Sequence, residues 1–131
     1  MNRITQLVFI CFVLVLPLPT YADTAENKFL NEVIQCASYY KISSDALIAM
    51  NAPQMKGIAD KLKLSHQKSL ELALKYDKSA TSKFAEIENQ QIAEMKASSG
   101  LRELMNQYRT KCQQILAAPD ERLKYWQMVE M

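Results

Sequence analysis

Apolar residues recur along most of the chain at alternating steps of four and three, the spacing of one face of an α-helix. Phe29, Val33, Cys36, Tyr40, Ser43, Leu47 and Met50 trace one such face, with Ser43 its only polar member. They predict a first helix over about residues 24–50. Asn51-Ala52-Pro53 stops it, because the residue before a proline disfavours helical backbone. The alternative to one continuous helix is a kink near the stretch KISSD (41–45), where Ser43 or Ser44 is placed to cap a separate segment.

The second helix starts at Pro53, a residue suited to the first helical position. Ile58, Leu62, Leu70, Ala73 and Tyr76 or Ala80 mark its inner face. DKSATS (77–82) is the expected break; the alternative is a helix running through it, since it holds no glycine or proline. Phe84, Ile87, Ile92 and Met95 carry a third helix to Ser98-Ser99-Gly100, where glycine accepts the backbone conformation that ends helices. The fourth has Leu101, Met105, Tyr108, Cys112 and Ile115 inward. Pro119-Asp120-Glu121 then opens a short terminal helix with acidic residues in its first turn, favourable for the helix dipole. Leu123 and Trp126 are expected to pin it. Nothing after residue 22 reads as a strand, and Ala, Leu, Lys, Glu, Gln and Met, all good helix formers, dominate. The expected fold is all-α, an antiparallel up-down four-helix bundle with a short C-terminal helix.

The chain start bears on compartment. Arg3 is the only charge in the first 22 residues, and ten uninterrupted apolar residues follow at 7–16, then PLP and TYA. A basic start, a short apolar run, prolines and small residues at Thr20 and Ala22 read as a secretory signal peptide over residues 1–22, cleaved after Ala22. A membrane anchor is the competing reading, but a spanning helix needs about 20 apolar residues. The expected product is a single helical domain over residues 23–131, exported to the periplasm or medium and without stable membrane insertion. A chain of that length buries roughly two-thirds of its unfolded surface, enough for one modest core.

Removal of the signal changes the charge and cysteine counts. Residues 23–131 carry 15 Lys and Arg against 14 Asp and Glu, a net of +1. Nucleic-acid binding rests on a concentrated basic face. The densest stretch, MKGIADKLKLSHQK, interleaves Lys56, Lys61, Lys63 and Lys68 with Asp60 and reads as a solvated surface. No nucleic-acid partner is expected. Cys11 leaves with the signal, so Cys36 and Cys112 remain as an even pair in an oxidising compartment. If they pair between antiparallel first and fourth helices, Tyr40 meets Tyr108, Val33 meets Ile115, Ser43 meets Met105 and Leu47 meets Leu101. A parallel pairing, offset by 76, is the alternative; it puts Val33 opposite Arg109 and fits less well. Either way a disulfide linking the first and fourth helices is expected.

Candidate chemistry is thin. Zinc sites want about four ligands at short spacings, whereas two cysteines and one histidine lie far apart here, so no metal is expected. His66, the only histidine, falls near the seam of the second helix. It is a weak candidate cofactor ligand, since bundles can hold a haem between facing helices. No CxxCH attachment motif accompanies it, and methionine is a common gap-filler in cores, so no cofactor is expected. The chain has no G-x-S-x-G and only two isolated glycines, which argues against nucleophilic catalysis on that motif and against phosphate-cradling loops. The chain does not read as an enzyme. Neighbouring helical residues diverge by about 100°, so Tyr39 is expected at the flank or exposed if Tyr40 is core, and Tyr125 and Trp126 pose the same choice. Exposed aromatics anchor partners, which makes Tyr39, Tyr125 and Trp126 candidate contacts. The expected function is non-enzymatic binding or accessory action on another envelope or secreted protein, of inhibitor, immunity or chaperone type. A haem or small-molecule carrier using the bundle core is the alternative.

Overall fold

The computed structural model describes residues 21–131; the expected signal segment lies outside them except for its last two residues. The described residues form five α-helices and one 3-10 turn and contain no strand. The helices are α1 (Tyr21–Ala49), α2 (Lys56–Tyr76), α3 (Ala80–Ala97), α4 (Leu101–Ala117) and α5 (Pro119–Val129), with the turn at Pro53–Met55.

The connections follow from local chemistry. After α1, Asn51 takes φ +50°, a left-handed conformation that asparagine tolerates better than most residues. Pro53 then opens the 3-10 turn leading into α2. The chain does break within 77–82. Asp77 is extended, and its carboxylate accepts from the Ser79 N–H at 2.8 Å, the Ser79 hydroxyl at 2.6 Å and Lys83 at 2.6 Å. Those donors hold the Asp77 carboxyl well below the usual carboxylate range, with Lys83 the largest contributor and Ser79 next. Between α3 and α4, Gly100 sits at φ +83°, ψ −147°, a combination that is essentially glycine-only.

α1 is more deeply buried than its seam predicts. Phe29, Val33, Cys36, Tyr40, Ser43 and Leu47 are buried as expected, but so are Leu30, Ile34, Ala37, Ser38, Tyr39, Ile42 and Ser44. Neighbours cover it from several sides. On one side the Ser44 hydroxyl donates to the Ala59 carbonyl of α2, and His66 Nδ1 lies 2.9 Å from the Ala37 carbonyl. Residue numbers fall along α2 as they rise along α1, so the two run antiparallel. Their contact is lined by small buried residues, Ala37 and Ser44 against Ala59, Ser69 and Ala73, which allow close approach of the helix axes. α3 crosses elsewhere, with the Gln91 side-chain amide donating to the Gln35 carbonyl at 2.9 Å. α4 and α5 follow one another down a further side, each antiparallel to α1. Ala118, at φ −144°, ψ 68°, separates them and is followed by Pro119.

Cys36 and Cys112 join α1 to α4, with S–S 2.07 Å and Cα–Cα 5.4 Å. The antiparallel sense of that pair agrees with the expected register, but the aromatic pairing differs. Tyr108 stacks on Tyr39, ring centroids 6.0 Å apart, rather than on Tyr40. Tyr39 itself, expected at the flank or exposed, is only 1 % exposed. The reason is the many-sided covering of α1: two directions 100° apart are both occupied by neighbouring helices. A double-mutant cycle on Tyr39→Ala and Tyr108→Ala is therefore expected to show coupling of about 0.5–1.5 kcal/mol. Additive effects of the two substitutions in chemical denaturation would contradict the stacked pair.

One alternative is settled and two further expectations are corrected. Of the two readings at 41–45 the unbroken one holds, because α1 is assigned as one helix through it and the Ser44 hydroxyl is engaged by α2 rather than capping a separate segment. Met50 lies beyond the end of α1 and is exposed. Ile58 is 49 % exposed, and the fully buried face of α2 is Ala59, Ser69 and Ala73. The small residues are inside because the helices touch there, and the large ones flank the contact.

Candidate functional site

α5 has no fully buried residue, yet it is held to α1 by a dense set of polar contacts. Glu32, four residues before Cys36 on α1, is largely buried. Its carboxylate accepts two bonds from Arg122, from Nε at 2.7 Å and Nη2 at 2.5 Å, and a third from the Trp126 indole N–H at 2.8 Å. One turn earlier on α1, Lys28 pairs with Glu130 and lies 5.1 Å above the Trp126 ring. The Arg122 guanidinium also packs on aromatic faces, 4.5 Å from the Tyr125 ring centroid and 5.3 Å from that of Trp126. A planar guanidinium meets a carboxylate bidentately and stacks at the same time, which a lysine cannot do. Burial pushes the Glu32 carboxyl up. The hydrogen bonds from Arg122 and Trp126, with the charges of Arg122 and Lys111, more than reverse this and leave it below its ordinary value.

The clamp holds Arg122 and Trp126 against α1, with Leu123 also packed on the core, and leaves three apolar side chains of α5 exposed among Asp120, Glu121, Lys124 and Gln127. Tyr125, Met128 and Val129 are 43, 66 and 53 % exposed, and at intervals of three and four they share one helix face. Tyr125 also forms the rim of an open cleft of about 450 Å³ where α4 meets α5, lined by Lys111, Gln114, Ile115, Ala118 and Arg122. Such an arrangement can grip an apolar side chain, with polar groups close by to orient it.

The candidate residues thus separate. Tyr125 is exposed, Trp126 is half-buried with its N–H bound by Glu32, and Tyr39 is in the core. Burial pushes the phenols of Tyr39, Tyr40 and Tyr108 up, Tyr40 to about 12, so none of them ionises near neutral pH. His66 is half-buried at the α1–α2 boundary. Nδ1 is the donor to Ala37, since a carbonyl only accepts, and the imidazole sits 5.5 Å from the Phe84 ring. Among the described residues no group of three or more His, Cys, Asp or Glu is placed to hold a metal ion. Glu32 and Arg122, which position the site, were missed from the sequence. A signal for Glu32 was present: Ala25, Phe29, Glu32, Cys36, Tyr39 and Ser43 form a second four-three row through Cys36, and a carboxylate in such a row needs a partner.

Comparison with protein-family models, with curated proteins and with solved structures finds no match for this chain.

Proposed function

We propose that this chain is a small exported, non-enzymatic binding or accessory protein that acts on another envelope or secreted protein through the outer face of α5. The observation that carries the reading is the exposed apolar row of α5: a helix fixed by an ionic clamp, with Tyr125, Met128 and Val129 turned to solvent. Apolar groups scattered singly need no explanation, whereas a cluster beside a cleft marks a contact surface. The partner contributes an apolar anchor to the α4–α5 cleft. The wider reading includes a signal peptide cleaved after Ala22, a single domain over residues 23–131 in the periplasm or medium, and an up-down order for the four long helices. The antiparallel α1–α2 and α1–α4 contacts support that order.

A photo-crosslinking residue placed at Met128 in the producing cell is expected to give a discrete adduct with one partner protein. The same residue at Gln90, on the exposed side of α3, is expected to give none. Tyr125→Ser with Val129→Ser should remove the adduct while the thermal midpoint stays within a few degrees. Equal adducts at both positions, or none at Met128, would overturn the reading, as would an intact mass retaining Met1 for the proposed export.

A further inference from the structure

α2 carries the largest net charge of the five helices, +3 against +2 for α4. Lys56, Lys61, Lys63, Lys68 and Lys75 against Asp60 and Glu71 leave it at +3, whereas the remainder of residues 23–131 nets −2. All seven of these side chains are exposed. Lys56 pairs with Asp60 at 2.7 Å, and among the described residues Lys61, Lys63, Lys68 and Lys75 form no ion pair. Seven residues is 20° short of two full turns, so Lys61, Lys68 and Lys75 stand in one row, about 10 Å apart along the axis. Leu64, 50 % exposed, stands between Lys61 and Lys68, and the exposed Glu71 takes the equivalent place between Lys68 and Lys75. The side of α2 packed on α1 through Ala59, Ser69 and Ala73 lies about 140° around the helix from this row, so the row faces solvent. None of its residues takes part in the α5 clamp or lines the α4–α5 cleft.

We propose that the outer face of α2 is an electrostatic docking surface for an anionic phospholipid bilayer, on which the protein rests peripherally. Charge complementarity selects an anionic partner, and the form of the face selects a lipid one. The helix contains no arginine; its cations are all flexible point charges rather than planar forks suited to individual carboxylates or phosphates. A cleft at the start of α2 takes in Lys56 and Asp60 but none of Lys61, Lys68 and Lys75. A broad negative surface satisfies three lysines spread along some 20 Å without matched geometry, and Leu64 is placed to enter the headgroup region between them. No helix among the described residues is long and apolar enough to cross a membrane, so the contact is on the surface.

The test is cosedimentation of the purified protein with phosphatidylcholine vesicles, with and without phosphatidylglycerol, over a range of salt. Binding is expected only to the mixed vesicles, weakening as salt rises, because each lysine near an anionic leaflet contributes a modest screened attraction. Lys61→Gln, Lys68→Gln and Lys75→Gln together should weaken it roughly a hundredfold with helical content and thermal midpoint unchanged. A charge-matched control, Lys96→Gln, Arg102→Gln and Lys124→Gln, should leave most of the binding in place. Equal losses in the two triple variants would mean that net charge rather than this face is responsible, and would overturn the proposal. So would equal binding to both vesicle types, no binding at low salt, or tighter binding to soluble polyglutamate or DNA than to the vesicles.

Discussion

Reduction of the Cys36–Cys112 bond is expected to lower the thermal midpoint by about 15–20 °C while most of the helical circular dichroism survives at room temperature. The bond closes a loop with a sequence separation of 76. In the chain-entropy model, a loop of that size stabilises by roughly 4–5 kcal/mol, and domains of this length are stable by only about 5–15 kcal/mol in total. Helicity should persist because the contact does not depend on sulfur alone. Tyr39 still stacks on Tyr108 and the α5 clamp still grips Glu32. Melting with and without reductant checks this, with Cys36→Ala/Cys112→Ala as the control for reductant effects. An unchanged midpoint would show that the unfolded chain is already held compact without the bond.

Arg122→Ala is expected to cost about 2–3 kcal/mol, below the range for breaking a fully buried pair because Arg122 is part-exposed. The loss arises from Glu32, which keeps its charge and its burial but loses two of its three hydrogen bonds. Glu32→Gln/Arg122→Gln, which leaves no uncompensated charge, should recover much of that loss. The clamp also imposes a pH dependence. The carboxyl of Glu32 lies lower in the folded protein than its ordinary value, so the unfolded chain takes up a proton first as pH falls. Its stabilising contribution is therefore complete above the ordinary glutamate value of about 4.3 and is lost as pH drops through the lowered folded value. Denaturant unfolding should show this acid slope in the unaltered protein, with a shallower one in Glu32→Gln. Equal slopes in the two proteins would remove Glu32 from the acid response.

The helices were legible because their signals are local. Pro53, Gly100 and Pro119 mark junctions by backbone chemistry, and the four-three rows of Phe29 to Leu47 and Leu101 to Ile115 hold along single helices. The cysteine pairing was legible because both sulfurs fall in such rows. What escaped depends on neighbours distant in sequence. Tyr39 could not be assigned to the core without the positions of the helices around α1. Ile58 looked like core because apolar size was weighed above contact, whereas α1 and α2 meet on alanine and serine. The site was half visible: Tyr125 stood out as an aromatic on a short helix. The clamp behind it joins residues 90 and 94 positions apart, a distance over which no helical periodicity carries information.

The central place of α1 sets the order of assembly against the order of synthesis. The chain emerges N-terminus first, so the helix most in need of cover appears before anything that can cover it. α2 can fold back at once, since Ala59 and Ser69 follow within a few tens of residues. Cys36 must wait for Cys112, and Glu32 waits longer still, for Trp126 near the far end of the chain. Until then α1 presents the free Cys36 thiol and the unpartnered Glu32 carboxylate. In the oxidising compartment proposed for this chain, that thiol is open to the wrong partner. A nascent chain stopped before residue 112 is thus the form in which this protein most needs protection from itself and from its neighbours.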